Sequence, residues 1–431
     1  MAEDKFDAIV VGAGVAGSSA AYQLAKEGLE VVLVERGPYP GSKNLSGGVL
    51  YGRILHELIP NFWEDAPVER CITNQVITFM TEDAHFNADF KTQAFSQPPY
   101  NGFTVLRGKF DRWLAEKAEE AGAMLVPGIK VDRLLRDGDR ITGVGAGEDE
   151  MIADVVIAAD GANSFLAQEA GLRGRIPTEH VAVGVKDLIG LPSEVIEERF
   201  HLMGGEGTAY TIVGYASRGV SGGGFLYTNV DSLSIGLVIH LADLIEHQLK
   251  PAQILEDFLA HPMIAPLIKG GKLLEYGAHL VPEGGLAMMP QLYTDGMLVT
   301  GDAAGLGINN GFMVRGMDLA IGSGIAAAKA VAEAKARGDF SAAGLSVYRQ
   351  KLEETYVMAD MRTYARAPAF MQNERLFKAY PQMLADFFTQ VYSEEGQPKQ
   401  HLVPMLMKSV RNNQISLLDL ARDVWNGVRA L

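Results

Sequence analysis

The chain has 431 residues, with 53 acidic and 38 basic side chains, a formal charge of -15 and one cysteine. The single Cys71 excludes an intramolecular disulfide, a four-cysteine iron–sulfur cluster and a cysteine-based zinc site. The acidic surplus argues against a nucleic-acid binder, because attraction to phosphates requires clustered Lys and Arg.

The longest uncharged stretch runs from Ala8 to Ala25. It lacks a basic leader, so no signal peptide is predicted. It is long enough to span a bilayer, but glycines and serines dilute it, and we interpret it as a strand, a turn and a helix. Without a disulfide pair or a spanning helix, we expect a cytoplasmic protein, and peripheral contact with the inner face of the cell membrane stays open.

Two apolar runs, Phe6–Val11 and Glu30–Val34, flank a helix of small residues predicted over 18–27. Both runs are apolar on successive residues, which is typical of parallel strands covered on both faces. Asp154–Ala159 and Met297–Thr300 have the same character, and a long Ala-rich helix is expected after Gly305, to about Arg337. The pattern therefore predicts a nucleotide-binding βαβ unit that is interrupted by an insertion and then resumes.

Between about Thr178 and Pro290 the sequence pattern changes, and polar and apolar residues alternate in segments such as Ser232–His240. This alternation predicts a mixed or antiparallel sheet. The remainder from Phe340 is predicted to be helical. Residues 361–431 carry a charge of +3, against -18 for the rest. We predict an α/β fold in three parts. These are a split FAD-binding Rossmann-like domain (1–177 with 291–340), a sheet domain over the flavin or quinone site (178–290) and a helical region facing a partner or membrane (341–431).

The first chemical motif is Gly12-Ala13-Gly14-Val15-Ala16-Gly17, between the first strand and helix. Gly12 permits a tight turn, Gly14 lets the backbone approach a pyrophosphate, and Gly17 lets helix and strand pack closely. Glu35 ends the second strand and can accept hydrogen bonds from ribose hydroxyls. The motif predicts a site for FAD or NAD rather than NADP, because Glu35 repels a 2′-phosphate. The alternative is a structural glycine-rich turn.

The second motif, Gly301-Asp302-Ala303-Ala304-Gly305, also follows a strand and is expected to open a helix. One FAD would explain both motifs, with its adenosine half at the first turn. Asp302 would then bind a ribityl hydroxyl, and the helix start would face phosphate or the pyrimidine edge of the flavin. The alternative is that Asp302 is an ordinary helix N-cap.

Four blocks, in this order, resemble the glutathione-reductase-type FAD fold of aromatic hydroxylases, geranylgeranyl reductases and electron-transfer-flavoprotein:quinone oxidoreductases. The blocks are GAGVAG with Glu35, Arg107 ahead of Phe110-Asp111, ADGANS at 159–164, and DG at 295–296 leading to GDAAG at 301–305. The resemblance implies bound FAD, with Arg107 near the cofactor and with Asp160 and Gly161 near its pyrophosphate.

Further segments are similar to the FixC-type flavoproteins within the last of these groups. They are GSKNLSGG at 41–48, GGGFLY at 222–227, YGAHLVPEGG at 276–285 and GFMVRGMDLA at 311–320. Larger quinone oxidoreductases carry a C-terminal iron–sulfur segment, whereas this chain has only Cys71 and stops at Leu431. The resemblance therefore implies a separate ferredoxin-like FixX-type partner.

Individual side chains allow two interpretations each. Lys43 and Asn44 either contact the flavin or belong to a solvated loop. Arg315 lies in an apolar segment and needs an anionic or carbonyl partner if buried, either the flavin or a partner molecule, or Asp318 in a structural pair. His279 either donates to a flavin or quinone carbonyl or is structural.

No metal site and no catalytic side chain is predicted, since the flavin carries the chemistry. The predicted cofactor-binding residues are Gly12, Gly14, Ala16, Gly17, Glu35, Arg36, Lys43, Gly47, Gly48, Arg107, Asp160, Gly161, Gly301, Asp302, Gly305 and Asn309. Quinone or partner contact is predicted for His279, Gly285 and Arg315.

The resemblance implies electron transfer from a FixA/FixB-type electron-transfer flavoprotein to quinone, within a complex associated with flavin-based electron bifurcation and nitrogen fixation. This subunit would serve the high-potential branch. The first alternative is a flavin monooxygenase or geranylgeranyl-type reductase using NAD(P)H. The second is a binding module that retains FAD without turnover.

Overall fold

The computed structural model describes residues 5–44 and 47–431. Its strands, in chain order, are β1 (Phe6–Val11), β2 (Val31–Glu35), β3 (Gly48–Tyr51), β4 (Val68–Met80), β5 (His85–Lys91), β6 (Gly102–Val105), β7 (Met124–Pro127), β8 (Arg133–Asp137), β9 (Arg140–Ala146), β10 (Asp149–Ala158), β11 (Val181–Gly190), β12 (Glu206–Gly214), β13 (Gly222–Thr228), β14 (Ser232–His240), β15 (Lys272–Pro282), β16 (Tyr293–Thr294), β17 (Met297–Val299), β18 (Ile308–Asn309) and β19 (Val314–Arg315).

The helices are α1 (Val15–Lys26), α2 (Arg53–Leu58), α3 (Arg107–Glu120), α4 (Phe165–Glu169), α5 (Ser193–Phe200), α6 (Leu241–Glu246), α7 (Pro251–Ala260), α8 (Ala265–Ile268), α9 (Met317–Arg337), α10 (Ala342–Leu345), α11 (Val347–Glu353), α12 (Tyr356–Thr363), α13 (Ala367–Phe370), α14 (Ala379–Tyr392), α15 (Leu402–Asn412) and α16 (Leu417–Ala430). A short 3-10 turn covers Gly301–Ala304.

The first sheet has the strand order β16-β17-β10-β1-β2-β7, with the β8–β9 hairpin attached through β10. The pairs of β1 with β2 and β10, β2 with β7, and β10 with β17 are parallel. All five residues of β2 are buried, which is typical of a parallel strand covered on both faces. The predicted interrupted nucleotide-binding unit is therefore present, with β1, β10 and β17 side by side.

Close helix packing supports this sheet. Helix α1 lies against α9 and α3. Small residues permit the approach of α1 to α9, since a Cβ on Gly324 would lie 2.2 Å from the Ala16 carbonyl oxygen. The helix termini at the sheet edge are thereby fixed in place for binding.

The second sheet is mixed, with the order β15-β11-β14-β13-β12-β4-β6-β3 and with β5 on β4. Its pairs are antiparallel except for β4 with β12, which is parallel. Four of its strands come from residues 48–105, which the sequence analysis assigned to the cofactor-binding part. The reason is that β4 joins these strands to β12, more than 100 residues away, a pairing that no local sequence pattern indicates.

The prediction that the Gly301–Gly305 block opens the long helix is wrong. Gly305 adopts a left-handed conformation, with φ of +71°, that ends the 3-10 turn at Ala304. The β18–β19 hairpin follows, and α9 begins only at Met317. Asp302 consequently lies in a short turn and does not cap the long helix.

Candidate active site

A cavity of about 420 Å³ lies between the two sheets. Fifteen predicted residues line it: Gly12, Gly14, Ala16, Glu35, Arg36, Lys43, Gly47, Gly48, Arg107, Asp160, Gly161, His279, Asp302, Asn309 and Arg315. Four predicted residues do not line it: Gly17, Gly285, Gly301 and Gly305. The fold thus brings most of the predicted set to one place, from segments far apart in sequence.

The first glycine turn leaves an open helix terminus toward the cavity. Gly12 has a φ of +105°, and a Cβ there would lie 2.3 Å from the Ala159 carbonyl oxygen. Gly14 begins α1 with no side-chain cap and no acidic residue in the first turn. The first N–H groups of α1 are therefore free to bind an anion, as a pyrophosphate requires. Gly17 acts in packing, because a Cβ there would meet the Gly12 carbonyl oxygen at 1.9 Å.

Glu35 is held by two backbone donors. The Ala13 N–H donates to Oε2 at 3.0 Å, and the Gly37 N–H donates to Oε1 at 2.6 Å. The carboxylate is buried at the end of β2. Each of its oxygens has a second lone pair, so the group retains capacity to accept ribose hydroxyls.

Arg107 forms a two-point ion pair with Asp111 at the start of α3. Its Nε and Nη2 donate to the carboxylate at 2.7 and 2.8 Å, and Asn44 donates to the same carboxylate at 2.5 Å. Burial disfavours the charged guanidinium, but Asp111 and then Asp302 raise the pKa of Arg107 above its usual value. Arg107 therefore brings a permanent positive charge to the cavity wall opposite Asp302.

Burial changes the pKa of two acids on the cavity wall. Burial raises the pKa of Asp302, against the opposing effects of Arg107 and His279. Burial also raises the pKa of Asp160. Asp160 Oδ2 accepts from the Leu166 N–H at 3.0 Å, whereas its buried Oδ1 has no hydrogen-bond partner among the described residues. An acceptor of this kind calls for a donor from a bound molecule.

The loop over 41–48 contacts the second sheet through a residue that sequence reasoning missed. Lys186, buried in β11, donates from Nζ to the Gly47 carbonyl oxygen at 2.8 Å. Burial lowers the pKa of Lys186 to about 7. The signal available in the sequence was a lysine inside the apolar run VAVGVKDLIG. Leu45 and Ser46 of the same loop lie outside the described residues.

Arg315 has acidic partners from its own chain. Its Nε donates to Asp318 at 2.9 Å, and its Nη1 donates to Asp360 at 2.6 Å. Burial opposes the charge, but these two carboxylates raise the pKa of Arg315. The structural pair with Asp318 is therefore present, while the Arg315 side chain also lines the cavity. Asp360 was missed because it lies 45 residues further on, in α12.

The second sheet and the C-terminal region give the cavity an apolar arm. Its lining includes Ile212, Phe225, Val238, Leu280, Met371 and Phe377. His279 lies beside these residues, and burial lowers its pKa. Gly285 is outside the lining, and a Cβ there would meet Pro368 at 2.9 Å. An apolar arm continuous with a polar, anion-binding arm suits a dinucleotide beside an apolar reactant.

The residues present fit FAD. The open N-terminus of α1, the unpartnered oxygen of Asp160 and the buried Glu35 supply groups of the kind that the pyrophosphate and ribose of FAD require. In the described part of the chain, no helix is long and apolar enough to cross a membrane.

Comparison with known proteins agrees with this fit. Residues 7–85 match the model of FAD dependent oxidoreductases, residues 182–281 match "ETF-QO, ubiquinone-binding", and residues 367–431 match the "ETF-QO/FixC family C-terminal domain". Among solved structures, a geranylgeranyl bacteriochlorophyll reductase-like protein from Thermoplasma acidophilum has a TM-score of 0.73 at 20% identity, covering 99% of this chain and 100% of its own. The flavin-dependent brominase Bmp2 has a TM-score of 0.63 at 17% identity, covering 95% and 99%. These two likenesses concern the fold alone.

Full-length relatives are closer in sequence. The chain is 50% identical over 431 residues to a probable electron transfer flavoprotein-quinone oxidoreductase, YdiS, of Escherichia coli K12. It is 48% identical over 432 residues to Protein FixC of Salmonella typhi and 40% identical over 436 residues to Protein FixC of Bradyrhizobium diazoefficiens. Each alignment covers 100% of both chains.

Fold, cavity and family models together define an FAD-dependent oxidoreductase of the Rossmann-type flavoproteins. Within that class, the chain belongs to the electron-transfer-flavoprotein:quinone oxidoreductase family, and its full-length relatives place it with the FixC-type flavoproteins.

Proposed function

We propose that this protein passes electrons from an electron-transfer flavoprotein to a quinone through its FAD. The observation that carries the proposal is the single cavity that joins the glycine turn of β1–α1 to an apolar arm of the second sheet. That arm is built largely from residues 182–281, which match the ubiquinone-binding family model. The electron donor and the quinone acceptor can therefore exchange electrons with the same bound FAD.

The proposed FAD contacts divide by region. The N-terminus of α1 binds the pyrophosphate, assisted by Arg107, while Glu35 accepts from the adenosine ribose. Asp160 and Asp302 accept hydroxyl or amide donors from the middle of the cofactor. Bound there, FAD accepts two electrons together and releases them singly or in pairs. The protein contributes position and charge, and no side-chain nucleophile is needed.

The quinone is placed by this proposal in the apolar arm, between β12–β14 and the side chains of Met371 and Phe377. A quinone ring is flat and apolar with two carbonyl acceptors, so it suits a mainly apolar site with few polar groups. His279, which lines the cavity beside these residues, is then a candidate hydrogen-bond donor to one carbonyl. Arg315 already pairs with Asp318 and Asp360, so in this proposal it contributes mainly its positive charge to the site.

The proposed physiological assembly contains FixA/FixB-type electron-transfer flavoprotein subunits and a ferredoxin-like FixX-type protein. Support comes from the FixC names of the full-length relatives and from the single cysteine, which supplies too few thiolates for an iron–sulfur cluster. In a bifurcating complex of this kind, the present subunit serves the high-potential branch toward quinone. Purified complex that fails to reduce quinone would refute that assignment.

The test is anaerobic reduction of the purified protein, followed by flavin absorbance. NADH alone should bleach the flavin slowly, NADH with the electron-transfer flavoprotein should bleach it quickly, and added quinone should restore the absorbance. Fast bleaching by NADH or NADPH alone, unaffected by the partner, would instead support the monooxygenase or reductase alternative. Bound FAD that no donor and acceptor pair turns over would support the binding module.

We also propose that the protein sits peripherally at the cytoplasmic face of the membrane. Helix α16 turns Asp423, Gly427 and Ala430 inward and presents apolar side chains outward. The exposed set is Leu417, Leu418, Val424, Trp425 and Val428, with Val428 77% exposed. Residues 361–431 are also net basic, which suits anionic lipid headgroups.

Cosedimentation with phosphatidylglycerol vesicles tests this surface. The double variant Leu418→Glu/Val428→Glu should bind at least about tenfold more weakly, since two apolar contacts are replaced by charges. Leu273→Glu, which changes an exposed leucine on β15, should bind normally. Equal binding by both variants, or no binding by the native protein, would contradict the proposal.

A further inference from the structure

Glu283 is a buried acid on the cavity wall that the proposed transfer does not yet use. It follows β15 directly, and its backbone N–H donates to the His180 carbonyl oxygen at 2.9 Å. Its side chain is 8% exposed and lines the same cavity as Asp302 and His279. The carboxyl group is thus fixed at the wall while shielded from bulk solvent.

No cation compensates this carboxyl group. Burial raises the pKa of Glu283 to about 7, and in the described part of the chain only a hydrogen bond from Asn309 opposes that rise. The Asn309 Oδ1 accepts from the Gly311 N–H at 3.1 Å, so its amide NH₂ is the end that donates to Glu283. A buried carboxyl without a cationic partner keeps its proton close to neutral pH.

The other titratable groups on the wall are less suited to deliver a proton. Burial lowers the pKa of both His279 and His240, which leaves these rings neutral. Arg107 and Arg315 are committed to ion pairs and do not release protons. Burial also raises the pKa of Asp302 and of Asp160, but Arg107 opposes that rise at Asp302, and backbone N–H donors together with Arg36 oppose it at Asp160.

We propose that Glu283 is a catalytic proton donor to the quinone oxygen. The inference rests on the proposed function, since it requires a quinone in the apolar arm. Reduction of a quinone to a hydroquinone consumes two electrons and two protons. The electrons come from the reduced cofactor. The Glu283 O–H bond breaks as a quinone O–H bond forms, solvent returns a proton to the carboxylate, and the second proton follows by the same exchange.

The first test is single-turnover reoxidation of photoreduced protein by a short-chain ubiquinone, from pH 5.5 to 8.5. The native rate should be highest below pH 7 and fall about tenfold per pH unit above it, because the protonated acid is the donor. Glu283→Gln should be slower by about 100-fold at pH 6 and flat across this range. Glu256→Gln, an exposed acid on α7, should behave like the native protein.

The second test follows Glu283 itself by infrared spectroscopy with no quinone present. A protonated-carboxyl band should disappear as pH rises through 7 in the native protein and in Glu256→Gln, and should be missing in Glu283→Gln. Asn309→Ala removes a donor to the carboxylate, so it should move both this titration and the rate profile to higher pH. FAD content should be the same in the native protein, Glu283→Gln and Glu256→Gln.

The outcomes separate this inference from the function on which it rests. If quinone fails to reoxidise the native protein, the proposed function fails and the inference fails with it. If quinone reoxidises the native protein and Glu283→Gln with the same rate and pH profile, the function stands and the role of Glu283 is refuted. A missing carboxyl titration in the native protein refutes it as well.

Discussion

Two glycines of the first turn perform different tasks although they stand three residues apart. Gly17 has backbone against it, with the Gly12 carbonyl oxygen 1.9 Å from where a Cβ would stand. Gly14 has ordinary extended backbone, with φ of -77°, and the nearest atom to its Cβ position is Arg107 Nη2 at 3.9 Å. Gly17 is therefore needed by the fold, and Gly14 is needed for the binding of a molecule in the cavity.

This difference predicts opposite behaviour for two alanine variants. Gly17→Ala should lower the free energy of unfolding by about 3 kcal/mol or more, because backbone cannot move aside cheaply. Gly14→Ala should fold normally and bind FAD at least about tenfold more weakly. Thermal unfolding and bound flavin per chain give the two measurements, with Gly174→Ala, in open space, as control. Loss of FAD without loss of stability in Gly17→Ala would contradict the assignment.

The site was predictable at the residue scale where chemistry sits in short motifs. Gly12, Gly14, Glu35 and Asp302 stand in such motifs and line the cavity, whereas Gly17, Gly301 and Gly305 of the same motifs do not. Lys186 and Glu283 were missed because only their burial marks them as unusual. That burial depends on strands that pair across more than 40 residues. Asp360 was missed for the same reason, as a distant partner of Arg315.

At the scale of elements, a polar cluster around Asp423 ties α16 to the helices before it. Asp423 accepts from Arg375 Nε at 2.6 Å, from Arg375 Nη2 at 2.8 Å and from the Tyr380 hydroxyl at 2.7 Å. The hydrogen bond from Arg375 lowers the pKa of Asp423 to about 2. Because the folded-state pKa lies below the unfolded value, the stabilisation is complete above about pH 4 and is lost as pH falls toward 2.

Asp423→Asn should therefore destabilise the C-terminal helices by about 2 kcal/mol at pH 7. Hydrogen–deuterium exchange over residues 417–430 should become faster in this variant, while exchange in β1 and β10 stays as in the native protein. Glu395→Gln, an exposed acid before α15, provides the control. Unchanged exchange in Asp423→Asn would show that apolar contacts alone hold α16.

Elements with a self-contained pattern were predictable, and those defined by distant pairing were not. The buried strands β1, β2 and β10 follow from continuous apolar runs. The start of α9 was misplaced because Gly305 ends the preceding turn and the β18–β19 hairpin comes before the Ala-rich sequence begins. The assignment of 48–105 to the second sheet depends on the pairing of β4 with β12, which no local pattern encodes.

At the scale of the whole molecule, the proposed FAD site lies at the boundary between the two sheets. The cavity wall draws residues from β1–α1, from the second sheet and from the C-terminal region. A ligand that touches all three parts binds only the folded arrangement, so its binding energy adds to stability.

Removal of FAD should therefore lower the unfolding temperature of the entire chain. The stabilisation lost is about 2.7 kcal/mol for free FAD at 100 times its dissociation constant. Scanning calorimetry of stripped and reloaded protein gives the measurement. FMN should fail to restore the transition, since it lacks the adenosine half that Glu35 and the first glycine turn are expected to hold. Equal unfolding temperatures with and without FAD would contradict the shared boundary.

The path of the chain has a consequence for how this protein can be divided. Going from β2 to β3, from β6 to α3 and β7, from β10 to β11 and from β15 to β16, the backbone passes between the two sheets four times. No single cut separates the two sheets, and a fragment ending near residue 177 would lack β12, the partner of β4, and β17, a partner of β10. Neither half should fold when expressed separately, and the two sheets should unfold in one transition. Insertions are best tolerated within the exposed segment after Tyr392, which none of these crossings uses.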